Sequence, residues 1–150
     1  MAKQIDQTTL RNIIQDGDAV KLVNEADTLA SAIAAEGVSK SQIRNIFGEV
    51  RTIDTSWRPP SEPPTTEENS EARKNMRRLL LLKPRMAYQA KRDSKVPATK
   101  VLMDTLKDAV DLAVADTQPQ VLYQRFKYFS EFLEAIVAYH TVYEKKNPNQ

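Results

Sequence analysis

The sequence predicts an all-α fold, a compact bundle of about five to six helices with a Pro-rich loop after the second. Three observations carry that expectation. The 150-residue chain has only three glycines, its β-branched residues are scattered rather than alternating, and its apolar residues recur every three or four positions, the period of one helix face. At 41% hydrophobic and 28% charged residues, it has the composition of a single soluble domain spanning 1–150.

Residues 1–16 mix polar and charged side chains without the apolar core of a signal peptide, and are read as a flexible N-terminus. From Asp18 to Glu36, the apolar Leu22, Ala26, Leu29 and Ile33 share a face, and Gly37 supplies a helix stop. Ser39 and Gln42 match a capping box, which predicts a second helix running to about Asp54. Residues 55–69 contain Pro59, Pro60, Pro63 and Pro64 among acids and hydroxyls, and are read as an exposed loop of disorder-prone composition. Helicity resumes near Ser70, and Pro84 breaks or kinks it after Leu82 so that a new segment starts there. Pro97 opens a helix with Leu102, Leu106, Ala109, Val110 and Ala113 on one face. Pro119 opens the last, whose stripe is Leu122, Phe126, Phe129, Leu133, Ile136, Val137, His140 and Tyr143.

The longest aliphatic run, Leu79 to Leu82, is far below the roughly 20 residues that span a bilayer, so a cytoplasmic protein with no membrane partner is expected. The absence of cysteine excludes disulfides and thiolate metal sites.

Charge is unevenly distributed. Between Glu71 and Lys100 stand ten Lys or Arg against two acids, a local net of +8 in a chain whose formal net charge is +2, while the flanking regions are net negative. Focused basic charge of this kind points to a polyanion. After Pro84, the side chains of Arg85, Tyr88, Gln89 and Arg92 fall on one helix face, with Lys91 and Lys95 nearby. Seven helical residues span roughly 10 Å, about three rises of a nucleic-acid strand at ~3.4 Å each. The two guanidinium groups can therefore meet separate phosphates with Tyr88 between them. The alternative is ion pairing with neighbouring helices and a core position for Tyr88. On the second helix, Ile43, Ile46, Phe47, Val50 and Ile53 form one face, and Arg44, Gly48 and Arg51 lie along another. A mid-helix glycine points to close approach of another backbone, against the plainer alternative of a solvated face.

His140, the one histidine, lies on the apolar stripe and reads as a packed residue. Asp104, Asp108 and Asp111, and likewise Glu131 and Glu134, share helical spacing and read as solvated faces rather than magnesium ligands. Glycine-rich phosphate loops, activated serines and metalloprotease motifs are absent from the sequence, so neither catalytic residue, metal nor cofactor is expected.

Three ordered blocks, Ser39 to Arg51, Leu80 to Arg92 and Phe132 to Tyr143, together resemble the small subunit of type III-A CRISPR effector complexes, over about residues 20–145. The resemblance implies an all-helical, non-catalytic subunit of an RNA-guided antiviral defence complex. In that family several copies stack along the effector filament and hold guide and target RNA by the backbone, leaving sequence choice to base pairing. The implied partners are guide and target RNA, other copies of the chain and other effector subunits. Carried onto the matching blocks, the RNA-binding positions are Arg44, Arg51, Lys83, Arg85, Lys91 and Arg92, with Tyr88 in addition, whereas Ile43, Phe47, Ile136 and His140 go to packing. Lys40 stands where a threonine is common in the family, and the Pro-rich loop is longer than the family needs. The rival reading is a helical protein–protein adaptor whose arginines meet acidic partners and no RNA.

Overall fold

The computed structural model describes residues 1–144, so the last residues of the expected domain, 145–150, lie outside the described residues. Seven helices run in order among the described residues: α1 (Gln7–Ile14), α2 (Ala19–Ala35), α3 (Lys40–Ser56), α4 (Thr66–Leu80), α5 (Leu82–Arg92), α6 (Pro97–Ala113) and α7 (Pro119–Tyr143). The fold is all-α as the sequence predicts. None of these helices is long and apolar enough to cross a membrane.

Local chemistry sets most of the boundaries. Asp18 caps α2, its carboxylate accepting from the Lys21 amide at 3.0 Å, and Gly37 ends it at φ +95°, a left-handed conformation that costs glycine little. Gln42 accepts from the Ser39 amide at 2.6 Å, as the capping box requires. Pro97 and Pro119 sit at the starts of α6 and α7, where a missing N–H leaves no helical bond unmade.

The N-terminus and the loop differ from expectation. Residues 7–14 form a helix capped by Asp6, which accepts from the Thr9 amide at 2.9 Å, and Leu10, Ile13 and Ile14 are wholly buried. Eight residues make a marginal helix alone, so tertiary packing holds this one. The Pro-rich segment is shorter than 55–69, because α3 continues to Ser56 and a second capping box, Thr65 with Glu68, starts α4 at Thr66. Glu68 also accepts from the Ser61 amide at 2.9 Å, tying the loop to the helix, and these amides hold its carboxyl pKa below the ordinary value. The chain breaks at Leu81 rather than Pro84, which lies in the first turn of α5.

Helix α7 is the axis. Phe126, Phe129, Phe132, Leu133 and Ile136 are fully buried, and α1, α2, α3, α4 and α6 all pack against it. Trp57, just past the end of α3, lies 5.3 Å from the ring of Phe126 and edge-on to Tyr123 at 5.6 Å. His140 is buried where the apolar stripe predicts, its Nε2 2.7 Å from the Val38 carbonyl oxygen, which links the end of α7 to the α2–α3 turn.

The aspartates of α6 work within the bundle. Asp104 pairs with Lys100 at 2.5 Å and Lys107 at 3.5 Å, Asp111 pairs with Lys83 at 2.5 Å, and Asp108 accepts from Gln7 Nε2 at 3.1 Å. Partial burial, then the charges of Asp111 and Asp104, push the Asp108 carboxyl above its ordinary pKa. The folded chain therefore holds the Asp108 proton more tightly than the unfolded chain does. Its ionised form opposes folding at neutral pH, and that penalty disappears as pH falls below the unfolded carboxylate pKa.

Two outcomes follow for stability. Trp57→Ala should lower unfolding free energy by about 3–5 kcal/mol in a denaturant titration, as for other large buried aromatics. Asp108→Asn, which keeps an acceptor for Gln7, should raise the Tm at pH 7, and the gain should shrink as pH is lowered through the carboxylate range.

Candidate nucleic-acid interface

The candidate site is built where α5 lies beside α3. Helix α5 buries Leu82, Met86 and Gln89, and α3 buries Ile43, Ile46, Val50 and Ile53. Gln89 donates its side-chain amide to the Gln42 carbonyl oxygen, bridging the two helices. Beside this bridge opens a groove of about 370 Å³, lined by Asn45 and Ile46 from α3 and by Pro84, Arg85, Tyr88, Gln89 and Arg92 from α5. Tyr88 is 67% exposed, which removes the core position that the sequence allowed it.

Arg44 and Arg51 stand exposed along the outer face of α3, on the side of Asn45 away from the groove floor. Arg44, Arg51 and Arg85 make no ion pair among the described residues. The Arg51 guanidinium lies 5.9 Å from the centre of the Phe47 ring, and Phe47 itself is only partly buried against the core. Arg92 lies 3.5 Å from Asp93 and keeps about half of its side chain exposed.

The acids of α3 are engaged by cations of other helices. Glu49 reaches Arg78 of α4 at 3.2 Å, and Asp54 reaches Lys127 of α7 at 2.7 Å. Burial disfavours the Lys127 ammonium, but the hydrogen bond and charge of Asp54 outweigh it and hold its pKa above the ordinary value. What remains along α3 is Ser41, Arg44, Asn45, Gly48, Arg51, Thr52 and Thr55, an exposed face with two cations and no carboxylate.

The structure divides the residues expected from sequence. Arg85, Tyr88 and Arg92 share the groove, with Arg44 and Arg51 beside it. Lys83 lies on the opposite side of α5, half-buried in its ion pair with Asp111 of α6. Lys91 lines a separate cleft between α5 and α6, with Lys100, Asp104 and Lys107. Their spacing from Arg85 already forecasts this, because at 100° per residue two positions back or six forward turns far from its face.

Asn45 and the bridging role of Gln89 escape the sequence reading. Asn45 could have been found from its place next to Gly48 on the helical wheel, on the side away from Arg44. Gln89 shares a face with Arg85 and Arg92, and nothing in its spacing tells which of them sinks inward. Lys74 and Arg78 line another cleft together with Glu67 and Glu71, so the positive charge there is offset. The glycine expectation is also corrected: a Cβ at Gly48 would meet nothing within 4 Å, so no other part of the chain requires the glycine. Among the described residues no cluster of His, Cys, Asp or Glu could hold a metal ion.

Comparison with curated proteins and with solved structures gave no match. The family model described as Csm2 Type III-A matches residues 16–146, which include all three sequence blocks and both helices of the groove. The chain belongs to the Csm2 family, the small subunit of the type III-A CRISPR effector complex.

Proposed function

We propose that the chain is a non-catalytic clamp on the RNA of the effector, holding the guide–target strands by their backbone through Arg44, Arg51, Arg85 and Arg92, with Tyr88 against a base or sugar. The observation that carries this reading is the groove between α3 and α5, around which arginines stand exposed while Glu49 and Asp54 are drawn back to Arg78 and Lys127. Guanidinium groups roughly 10 Å apart along each helix span about three rises of one strand, so each pair can meet separate phosphates. An exposed tyrosine between two of them offers a ring on which any base can stack. Backbone contacts fix position without choosing sequence, which suits a subunit whose complex reads its target by base pairing. Lys83 and Lys91 contribute to the surrounding field and stand outside the groove. Copies of the chain stack along the RNA, each presenting one groove.

Binding of the full-length chain to a single-stranded oligoribonucleotide over a salt series tests the assignment. Each lost phosphate contact flattens the slope of log affinity against log salt by about 0.7. Arg85→Ala with Arg92→Ala should therefore flatten it by about 1.4, and Lys83→Ala should leave it close to wild type. An unchanged slope in the double variant would take α5 out of the site and favour the adaptor reading, in which these arginines meet acidic proteins.

A further inference from the structure

The face of α3 beside the groove carries a residue that a helix disfavours and that the chain's own packing does not use. Gly48 sits in the middle of α3, and a Cβ there would project into open space. Glycine in an exposed helix interior weakens the helix relative to alanine, so its presence calls for a contact made by something outside the chain. The surroundings identify the kind of contact. Arg44 lies one turn before Gly48 and Arg51 just under one turn after it, both exposed, with Asn45 between Gly48 and the groove. Thr52 turns its hydroxyl back to the Gly48 carbonyl oxygen at 3.0 Å, so it too lies along the helix rather than across the opening. The exposed neighbours here are cationic or uncharged polar, which suits a polyanion better than the apolar core of a protein interface.

We propose that Gly48 is the point of closest approach of the RNA. The sugar–phosphate backbone rests directly against the bare main chain of α3 at Gly48, and Arg44 and Arg51 take the phosphates on either side. The proposal rests on the RNA-backbone reading of the groove. It adds that the strand runs over α3 at van der Waals contact instead of being held at the length of the arginine side chains. A methyl group at this position would stand where ribose or phosphate atoms lie.

Thermal unfolding and RNA binding of Gly48→Ala and Gly48→Leu, each in the full-length chain with a single-stranded oligoribonucleotide as probe, test this. Gly48→Ala should raise the Tm by about 2–4 °C, as removal of a helix-interior glycine does in a domain of this size. The same variant should bind RNA roughly tenfold more weakly, a difference of about 1.4 kcal/mol, and Gly48→Leu more weakly still. Arg44→Ala, measured alongside, separates loss of the RNA site from loss of the close approach. If wild type fails to bind, or Arg44→Ala and the α5 double variant bind like wild type, the reading of the groove falls and this proposal with it. If the arginine variants lose affinity while Gly48→Ala gains stability and keeps wild-type affinity, the close-approach proposal alone is overturned. It is equally overturned if Gly48→Ala keeps RNA affinity but loses self-association in light scattering, which would make the neighbour at Gly48 a second copy of the chain.

Discussion

Helix α7 carries apolar side chains around most of its circumference, and the architecture follows from the need to cover it. Three phenylalanines, Leu133 and Ile136 leave water completely, each contributing roughly 1.5–3 kcal/mol of transfer free energy. No single neighbour can shield them, so five other helices close around α7. That requirement fixes which way each surrounding helix faces. On α3, the row Ile43, Ile46, Val50 and Ile53 turns inward, and Arg44, Gly48 and Arg51 are left outward as the consequence. Helix α5 packs chiefly on α6 and more lightly on α3 and α4, and its inward residues are Leu82, Met86 and Gln89. The groove is therefore a by-product of core packing.

The ion pairs around the groove are better understood as arranging charge than as adding stability. Glu49–Arg78 and Asp54–Lys127 are part-exposed pairs, a class that contributes about 0–1 kcal/mol each. Their positions matter more. At physiological ionic strength the field of an exposed charge decays over about 8 Å, so any anion meeting α3 would respond to charges within that range and hardly to the chain's net +2. Glu49 and Asp54 are instead engaged by Arg78 of α4 and Lys127 of α7, and Arg44 and Arg51 make no ion pair among the described residues. On the far side of α5, Lys83 is compensated by Asp111 and the Lys91 cleft contains Asp104, although those lysines lie in the densest basic stretch of the sequence. Local geometry, rather than charge density along the chain, locates the candidate site.

How much of this was legible in the sequence depended on whether the determining chemistry was local. The starts of α3, α6 and α7 and the stop at Gly37 were readable because a capping pair, a proline or a glycine settles each within a few residues. Helix α1 was not, since its Leu10, Ile13 and Ile14 make too short a stripe to stand out and the helix exists through contacts with residues far along the chain. The Thr65–Glu68 capping box lay within a stretch dominated by prolines, and the break at Leu81 lacks any residue that demands it. In the site, Arg85, Tyr88 and Arg92 came together because helical phase alone groups them. The pairing of Lys83 with Asp111 needed the packing of α5 on α6, which phase does not reveal. The helical cost of Gly48 is visible in the sequence, but that it faces open space depends on the tertiary structure.

The proposed RNA site is the groove between α3 and α5 and not the equally basic cleft between α5 and α6. Photo-crosslinking in the assembled effector complex tests it most directly, with a photo-reactive residue replacing Asn45 in one preparation and Lys107 in another. RNA adducts are expected from position 45, and few or none from position 107. Adducts from position 107 alone, or none from position 45 in a complex that retains its RNA, would contradict it.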